Sequence, residues 1–155
     1  MITVRRSTPE DVHFLFDWRN EKETRQNALN SKEIRWEDHC RWFEQKASDP
    51  LCLIFIVMVD DVPAGQVRFE LEDTCGSKIA WVHINLGANF RNKGYGTQGL
   101  KITTAQFMKE IKPDKVMAYI KENNMPSLRS FEKAGFKKTG MSIIKSCQCC
   151  VMEFK

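Results

Sequence analysis

The stretch Ile84-Asn-Leu-Gly-Ala-Asn-Phe-Arg-Asn-Lys-Gly-Tyr-Gly-Thr-Gln-Gly-Leu100 joins an apolar strand to a helix through a basic, glycine-rich turn. Residues at the helical period follow the turn: Leu100, Thr103, Thr104, Phe107 and Ile111. A helix N-terminus presents unpaired N–H groups and the positive end of the helix dipole, which together favour an anion. Gly94 and Gly96 allow close approach because they lack Cβ atoms, and Arg91 and Lys93 add positive charge. The pattern predicts a diphosphate site between the strand and the helix.

Three kinds of phosphate-binding turn place glycines next to a helix. The phosphate loop of nucleotide hydrolases needs Lys and then Ser or Thr after its last glycine, whereas Lys93 precedes Gly94. The run Gly94-Tyr-Gly-Thr-Gln-Gly99 satisfies the dinucleotide pattern G-x-G-x-x-G, and Glu122 supplies a later acid. That fold normally begins with its motif, however, and most of this chain precedes it. The third pattern, Arg/Gln-x-x-Gly-x-Gly/Ala, is met by Arg91-Asn-Lys-Gly-Tyr-Gly96, and a plain helix-capping turn is the alternative without a ligand.

The composition is that of a globular protein with a hydrophobic core. The 155 residues are 42% hydrophobic and 28% charged, and without a linker or repeat we expect one domain over residues 1–155. The net charge of +4 favours anionic ligands, but there is no basic run, so nucleic acid is not an expected partner. The longest apolar run, Leu51–Val59, is too short to span a membrane, and the N-terminus lacks the apolar core of a signal peptide. We therefore expect a cytoplasmic protein with no membrane partner.

The six cysteines are expected to be reduced thiols in that compartment. The run Cys147-Gln-Cys-Cys150 has some likeness to part of a zinc site, but Cys40, Cys52 and Cys75 offer no second pair at the usual spacing. We therefore expect no metal.

Periodicity and turn residues divide the chain into alternating elements. The expected strands are 2–6, 51–59, 66–72, 78–87 and 115–121, with a closing hairpin in 137–155. The expected helices are 9–20, 36–47, the helix that starts at the glycine-rich turn and stops before Pro113, and a short one within 124–136, with a loop or broken helix over 21–32. The strand–helix–strand unit predicts that the fifth strand is parallel to the fourth.

A second segment, between Asn123 and Phe136, carries a further pattern. It contains Asn123-Asn-Met-Pro-Ser127 and then Phe131-Glu-Lys-Ala-Gly-Phe136. This segment resembles the Asn-x-x-Ser/Ala…Tyr-Glu-Lys-x-Gly-Phe segment of the GNAT superfamily of N-acetyltransferases, and Arg91–Gly96 resembles the coenzyme A loop of the same family. One helix and one strand separate the two segments, in the order that the family has.

The resemblance implies an α/β protein with the GNAT fold, which has a central mixed, mostly antiparallel sheet of about seven strands and about four helices. The parallel fourth and fifth strands splay apart. It also implies that acetyl-CoA, as co-substrate, gives its acetyl group to a primary amine by direct attack in a ternary complex. The pantetheine arm would pair with backbone near Leu86, the diphosphate would lie on N–H groups from Arg91 to Thr97, and an N–H near Leu86–Ala88 would stabilise the oxyanion. The residues assigned to the cofactor are Leu86, Arg91, Asn92, Lys93, Gly94, Tyr95, Gly96, Thr97, Asn124 and Phe131.

The candidate catalytic residues depart from the family pattern. Many relatives have Tyr at the position of Phe131, where its hydroxyl protonates the leaving thiolate, and some have a Glu base at the position of Tyr119. Tyr119 is one candidate acid, and water is the alternative. The candidate bases are His83, whose ordinary pKa of roughly 6.5 suits neutral pH, and Glu70 on the neighbouring strand. Each of these residues also has a structural interpretation, as a strand or surface residue.

A second set of residues resembles one branch of the superfamily and bears on the identity of the acceptor. Its residues lie in Trp18–Asn20, at Arg25, in Glu37–Phe43 and in Gly65–Phe69. They resemble a branch of the superfamily that acetylates the 4-amino group of nucleotide-linked amino sugars, as in pseudaminic acid synthesis. Arg19, Arg25 and Arg68 could then hold phosphates through paired N–H donors. Alternatively, they are solvated surface charges or form salt bridges with Glu21, Glu23 and Glu70. The residues assigned to the acceptor are Asn20, Arg68, Arg19 and His39.

Other functions remain open. A protein or peptide acetyltransferase would need an open acidic groove. An enzyme for aminoglycosides or polyamines would need carboxylates, and Glu33, Glu37 and Asp38 are candidates. Phe131 in place of Tyr is also compatible with a non-catalytic sensor of coenzyme A. A homodimer is left open as well.

Overall fold

One seven-stranded sheet, covered by helices on both faces, organises the computed structural model, which describes residues 1–155. The strands are β1 (Ile2–Arg6), β2 (Cys52–Val59), β3 (Val62–Thr74), β4 (Ser77–Leu86), β5 (Lys115–Lys121), β6 (Phe136–Ile144) and β7 (Cys147–Phe154). The helices are α1 (Val12–Asn20), α2 (Lys22–Asn27), α3 (Trp36–Ser48), α4 (Tyr95–Ile111) and α5 (Met125–Lys133). None of these helices is both long and apolar enough to cross a membrane.

The strands lie in the order β1-β2-β3-β4-β5-β7-β6, and β4 and β5 form the one parallel pair. That pair is short. Only Ile79, Ala80 and Trp81 of β4 are matched with β5, by Lys115, Val116 and Met117, although both strands continue. The strands therefore diverge beyond Trp81 and Met117, and the predicted mixed sheet with a splayed parallel pair is confirmed.

Two hydrophobic cores lie on opposite faces of the sheet. The larger one packs α4 and α5 against alternate strand residues, among them Phe69 of β3 and Val82 of β4. The smaller one packs α1 and α3 against Ile54 and Ile56 of β2. Because side chains alternate along a strand, the residues between those of the larger core point to the α1–α3 face. That face carries Glu70, His83 and the other charged residues of the candidate site.

Two elements differ from the sequence prediction. The strand predicted at 66–72 begins at Val62, because the turn consists only of Asp60 and Asp61, both with positive φ. Pro63 and Gly65 lie inside this strand, next to a register shift, which is where a sheet tolerates proline. The segment predicted as a loop or broken helix contains the short helix α2, so there are five helices, four of them substantial.

Candidate functional site

The turn between β4 and α4 carries backbone N–H groups that have no partner in the helix. Gly94 caps α4 with φ of +82°, a backbone conformation that residues other than glycine rarely adopt. The first hydrogen bond of the helix runs from Gln98 N–H to the Gly94 carbonyl at 3.1 Å. The N–H groups of residues 95–97 therefore have no partner within the helix. Asn92 also has positive φ, so two left-handed residues shape this turn.

Gly96 brings α4 against its neighbours. A Cβ added there would lie 3.4 Å from Leu86 Cδ1 and 3.4 Å from Ser130 Oγ. The turn is thus held between the end of β4 and α5. Asn124 lies at the start of α5, where its side chain accepts the Ser127 N–H at 3.4 Å.

The open edge of β4 faces the gap between the splayed strands. The Lys78 carbonyl accepts the Asp114 N–H from the β5 side, while the Gly87 N–H donates to the Ala64 carbonyl on the β3 side. Backbone groups alternate in direction along a strand, and β3 and β4 pair without a register shift. Ile84 and Leu86 therefore turn their N–H groups towards the gap, and Gly87 does not.

The cationic side chains of the turn contact other protein groups. Arg91 contacts Glu21 and Glu23 at 2.9 Å each, so its charge is balanced by carboxylates rather than left free for a diphosphate. Lys93 Nζ donates to the Asn89 carbonyl at 3.0 Å. The positive charge of Arg91 is thus balanced by two carboxylates. The N–H groups of residues 95–97 remain without a partner in the helix.

The three candidate catalytic residues lie together on the α1–α3 face, beside the gap. Glu70, Trp81, His83 and Tyr119 line an open depression of about 230 Å³. The indole of Trp81 stacks on the Tyr119 ring with centroids 4.3 Å apart, across the point where β4 and β5 diverge. Tyr119 is 38% exposed, so part of its side chain is accessible to solvent.

Glu70 is surrounded by cations. Its Oε1 lies 2.6 Å from Lys46 Nζ and 3.5 Å from Arg68 Nε, and its Oε2 lies 3.3 Å from His83 Nε2. The adjacent His83 ring, and then Lys46 and Arg68, hold the pKa of Glu70 well below its usual range. A carboxylate with so low a pKa is a weak proton acceptor, so we expect it to orient His83 rather than act as the base.

The pKa of His83 is set by opposing effects. Desolvation lowers the pKa of the ring, the contact with Glu70 opposes this, and the charges of Arg68 and Lys46 lower it further. A lowered pKa favours the neutral ring at neutral pH. With Nε2 facing Glu70, Nδ1 is the nitrogen left to accept a proton.

Three arginines converge on the same face from α1, α2 and β3. Desolvation, followed by the charges of Arg25 and Arg68, lowers the pKa of Arg19. Arg19 Nη1, Arg25 Nε and Arg68 Nε are buried without a hydrogen-bond partner. Neither Arg19 nor Arg25 has a carboxylate partner, and the Glu70 beside Arg68 is shared with Lys46 and His83. Arg19 Nη2 donates to the Asn30 carbonyl at 2.6 Å. The arginine cluster is therefore an excess of half-buried positive charge in which each guanidinium group has one buried nitrogen without a hydrogen-bond partner.

Three assigned residues are buried or use their polar groups on other parts of the protein. Asn20 bridges to the backbone of Ile34, donating to its carbonyl at 2.9 Å and accepting its N–H at 2.8 Å. His39 is buried between α1 and α3, with Nε2 2.8 Å from the Val12 carbonyl. Phe131 is buried in the larger core. Their roles in binding stay predictions, and we build the proposed site without them.

Sequence reasoning missed Lys46 and the partners of Arg91. Lys46 reaches Glu70 from the end of α3, where it looks like any charged residue of an amphipathic helix. Glu21 and Glu23 lie about 70 positions before Arg91, and nothing in their spacing pairs them with it. The stacking of Trp81 on Tyr119 depends on the splay of β4 and β5, which no local pattern in the sequence shows.

Comparison with known proteins gives one family match. The model of the acetyltransferase (GNAT) domain family matches residues 2–137. Uncharacterized protein MJ1062 from Methanocaldococcus jannaschii is 28% identical over 141 residues, which are 89% of this chain. This chain spans only 28% of the length of that relative.

Solved structures share the whole fold at low sequence identity. Spermidine N-acetyltransferase from Vibrio cholerae, in complex with coenzyme A and spermine, has a TM-score of 0.87 at 14% identity, covering 99% of this chain and 94% of that one. The aminoglycoside acetyltransferase AAC(6')-Ib, in complex with ribostamycin and coenzyme A, has a TM-score of 0.84 at 18% identity, covering 99% and 93%. At these identities the likeness shows the fold.

Proposed function

This chain belongs to the GNAT acetyltransferase family, and from that premise we propose that it transfers the acetyl group of acetyl-CoA to the primary amine of an anionic acceptor. The acceptor that we propose is a nucleotide-linked amino sugar. Residues 1–155 act as a single acetyltransferase domain in this proposal. The observation that carries the choice of acceptor is the arginine cluster.

The residues of the chain fit acetyl-CoA. The free N–H groups of residues 95–97 and the glycines of the turn suit a diphosphate. The unpaired N–H groups of Ile84 and Leu86 suit an extended amide chain, which would add to the edge of β4 as a further strand. Since the Gly87 N–H is already bonded to Ala64, Leu86 is a better candidate than Gly87 for stabilising an oxyanion.

The residues on the α1–α3 face can supply the proton transfers of the reaction. Acetyl-CoA supplies a thioester whose carbonyl carbon is attacked by the acceptor amine, and the carbon–sulfur bond then breaks. His83 is neutral and takes a proton from the ammonium group of the acceptor, while Glu70 fixes the orientation of the ring. Tyr119, or water at the exposed surface beside it, gives a proton to the departing thiolate. The second proton that the nitrogen loses on forming the amide restores this donor through solvent. Holding both substrates together supplies much of the rate.

The arginine cluster favours an acceptor that brings negative charge. Buried guanidinium groups with unused N–H donors are costly unless an anion completes them. Phosphate accepts paired N–H bonds from arginine, which a neutral amine cannot do. A polyamine or an aminoglycoside is a polycation, and it would meet like charges at Arg19, Arg25 and Arg68. We therefore propose a phosphate-bearing amine over these acceptors.

Thiol release from acetyl-CoA, measured with a panel of amines, tests the proposal. We expect turnover with a UDP-linked 4-amino sugar and little with spermidine, kanamycin or a peptide. Removing one charged donor by Arg68→Gln or Arg25→Gln should raise the acceptor KM roughly 10- to 100-fold, because a hydrogen bond to a charged group is lost. Arg129→Gln on α5 is the matched control, since Arg129 is exposed and has no ion pair.

Two results would contradict the proposal. Preferred turnover of spermidine or kanamycin would mean that the cluster does not choose the acceptor. Tight binding of coenzyme A without turnover of any amine would favour a non-catalytic sensor.

A further inference from the structure

Arg91 uses its side chain to join the turn after β4 to Glu21 and helix α2. Its two terminal nitrogens lie 2.9 Å from Glu23 and 2.9 Å from Glu21, and Nη2 also donates to Thr24 Oγ1 at 2.7 Å. Its Nε donates to the Leu86 carbonyl at 3.2 Å. The side chain is only 18% exposed. These contacts use the guanidinium group on protein partners and leave it little capacity for a diphosphate.

The segment held by Arg91 lies across the gap between the splayed strands. Thr24 Oγ1 lies 3.3 Å from Asn85 Oδ1 on β4, and the Gln26 carbonyl accepts a hydrogen bond from Lys121 Nζ on β5 at 3.0 Å. Helix α2 thus touches both sides of the gap and the turn that follows β4. These polar contacts connect it to the region where the two substrates would meet.

Helix α2 depends on such contacts for its position. It has six residues and none is buried, so neither helix propensity nor a hydrophobic face fixes it. Yet it carries Arg25, whose Nε is buried beside the other arginines of the cluster. The contacts that fix α2 therefore also fix Arg25, one of the three arginines of the cluster.

We propose that Arg91 is a positioning residue for the acceptor rather than a ligand of the cofactor. It fixes α2, and through α2 it places Arg25 in the arginine cluster. The acceptor part of this inference rests on the proposed function. The cofactor diphosphate is held by backbone N–H groups of the turn, so its binding does not need the Arg91 side chain.

The test uses the full chain and compares Arg91→Gln with Lys22→Gln. Lys22 is an exposed residue of α2 without an ion pair, so its substitution removes a charge from the same helix without removing a contact. Three quantities are measured: coenzyme A affinity by calorimetry, amide hydrogen exchange of residues 21–28, and the acceptor KM and kcat. We expect Arg91→Gln to change the coenzyme A Kd by less than about threefold. It should speed exchange in residues 21–28 and raise the acceptor KM about tenfold or more at saturating acetyl-CoA, with kcat less affected.

The double variant Glu21→Gln/Glu23→Gln removes the two ion pairs of Arg91 from the other side and keeps the Arg91 side chain. It should also speed exchange in residues 21–28 without weakening coenzyme A, which keeps the test informative if Arg91→Gln folds poorly. A tenfold loss of coenzyme A affinity in Arg91→Gln with unchanged exchange would overturn the inference, because Arg91 would then be a diphosphate ligand. Faster exchange with unchanged coenzyme A affinity supports it even if no sugar nucleotide is acetylated, in which case only the proposed acceptor fails.

Discussion

Glu70 is the residue on which the charged groups of the α1–α3 face converge. Lys46, Arg68 and His83 approach its two oxygens from three different elements. One carboxylate therefore compensates several cations, and it also decides which nitrogen of His83 is available. In this arrangement the Glu70 carboxylate acts through His83. Its removal should therefore change mainly the pKa and the orientation of the His83 ring.

We expect Glu70→Gln to move the acidic limb of the pH–rate profile to lower pH. The contact with Glu70 raises the pKa of His83 against desolvation and the charges of Arg68 and Lys46. Without the carboxylate, the pKa of His83 falls further, so the base stays unprotonated to a lower pH. The measurement is kcat/KM as a function of pH.

His83→Ala is the companion variant. Loss of a general base should lower kcat/KM by roughly 100-fold or more and remove the acidic limb. An acidic limb that survives unchanged in His83→Ala would exclude His83 as the base. A limb that moves upward in Glu70→Gln would show that Glu70 does not set the protonation of the ring.

At this scale the sequence predicts residues whose role is local. The left-handed Gly94 follows from the motif, because the chain must turn there into a helix. The faces of His83 and Glu70 follow from alternation along their strands. The ion pairs of Arg91 do not follow, because they join residues that only the folded chain brings together.

At the scale of elements, the contact between α4 and the sheet depends on Gly99. A Cβ at position 99 would lie 3.0 Å from Val57 Cγ2 in the middle of β2, and Val57 is fully buried. Gly99 completes a dinucleotide-binding pattern in the sequence, but in the fold it is explained by this close packing. The same helix presents Leu100 and Phe107 to the larger core.

Gly99→Ala should therefore destabilise the protein by about 1–3 kcal/mol through overpacking, less the gain of about 1 kcal/mol that alanine brings to a helix. Val57→Ala alone should cost about 1–3 kcal/mol by leaving a cavity. The double variant should lose less unfolding free energy than the two single variants lose together, because the new methyl group fills part of that cavity. Denaturant unfolding of the four proteins measures this, and strictly additive changes would show that the two residues are not in contact.

Elements with a strong period were predictable and those fixed by tertiary contacts were not. The strand at Leu51–Val59 and the helix after the glycine-rich turn match β2 and α4 closely. Helix α2 has no apolar face, and its polar contacts to Arg91 and Lys121 hold it, so the sequence could offer only a broken helix. The start of β3 was not predicted, because Pro63 and Gly65 are turn residues in most contexts. In this strand they lie beside a register shift.

At the scale of the whole molecule, the divergence of β4 and β5 divides the sheet into two parts that share only three matched residue pairs. The cores on the two faces and the segment around α2 hold these parts together. The gap leaves backbone groups of Ile84 and Leu86 without strand partners, an arrangement that a bound chain of amides would complete. Ligand binding at this gap should therefore be visible in the stability of the entire fold.

We expect saturating coenzyme A to raise the melting temperature. At 100 times its Kd, a ligand that binds only the folded state adds about 2.7 kcal/mol, which corresponds to roughly 5–10 °C for a chain of this size. In the same sample, amide exchange at Ile84 and Leu86 should slow, while Gly87, already bonded to Ala64, should change little. ADP, which has the diphosphate but no pantetheine arm, is the control and should protect the turn without protecting these two amides. If coenzyme A raised the melting temperature but left Ile84 and Leu86 unprotected, the ligand would not be pairing with the edge of β4, and the placement of its pantetheine arm in the gap would be wrong.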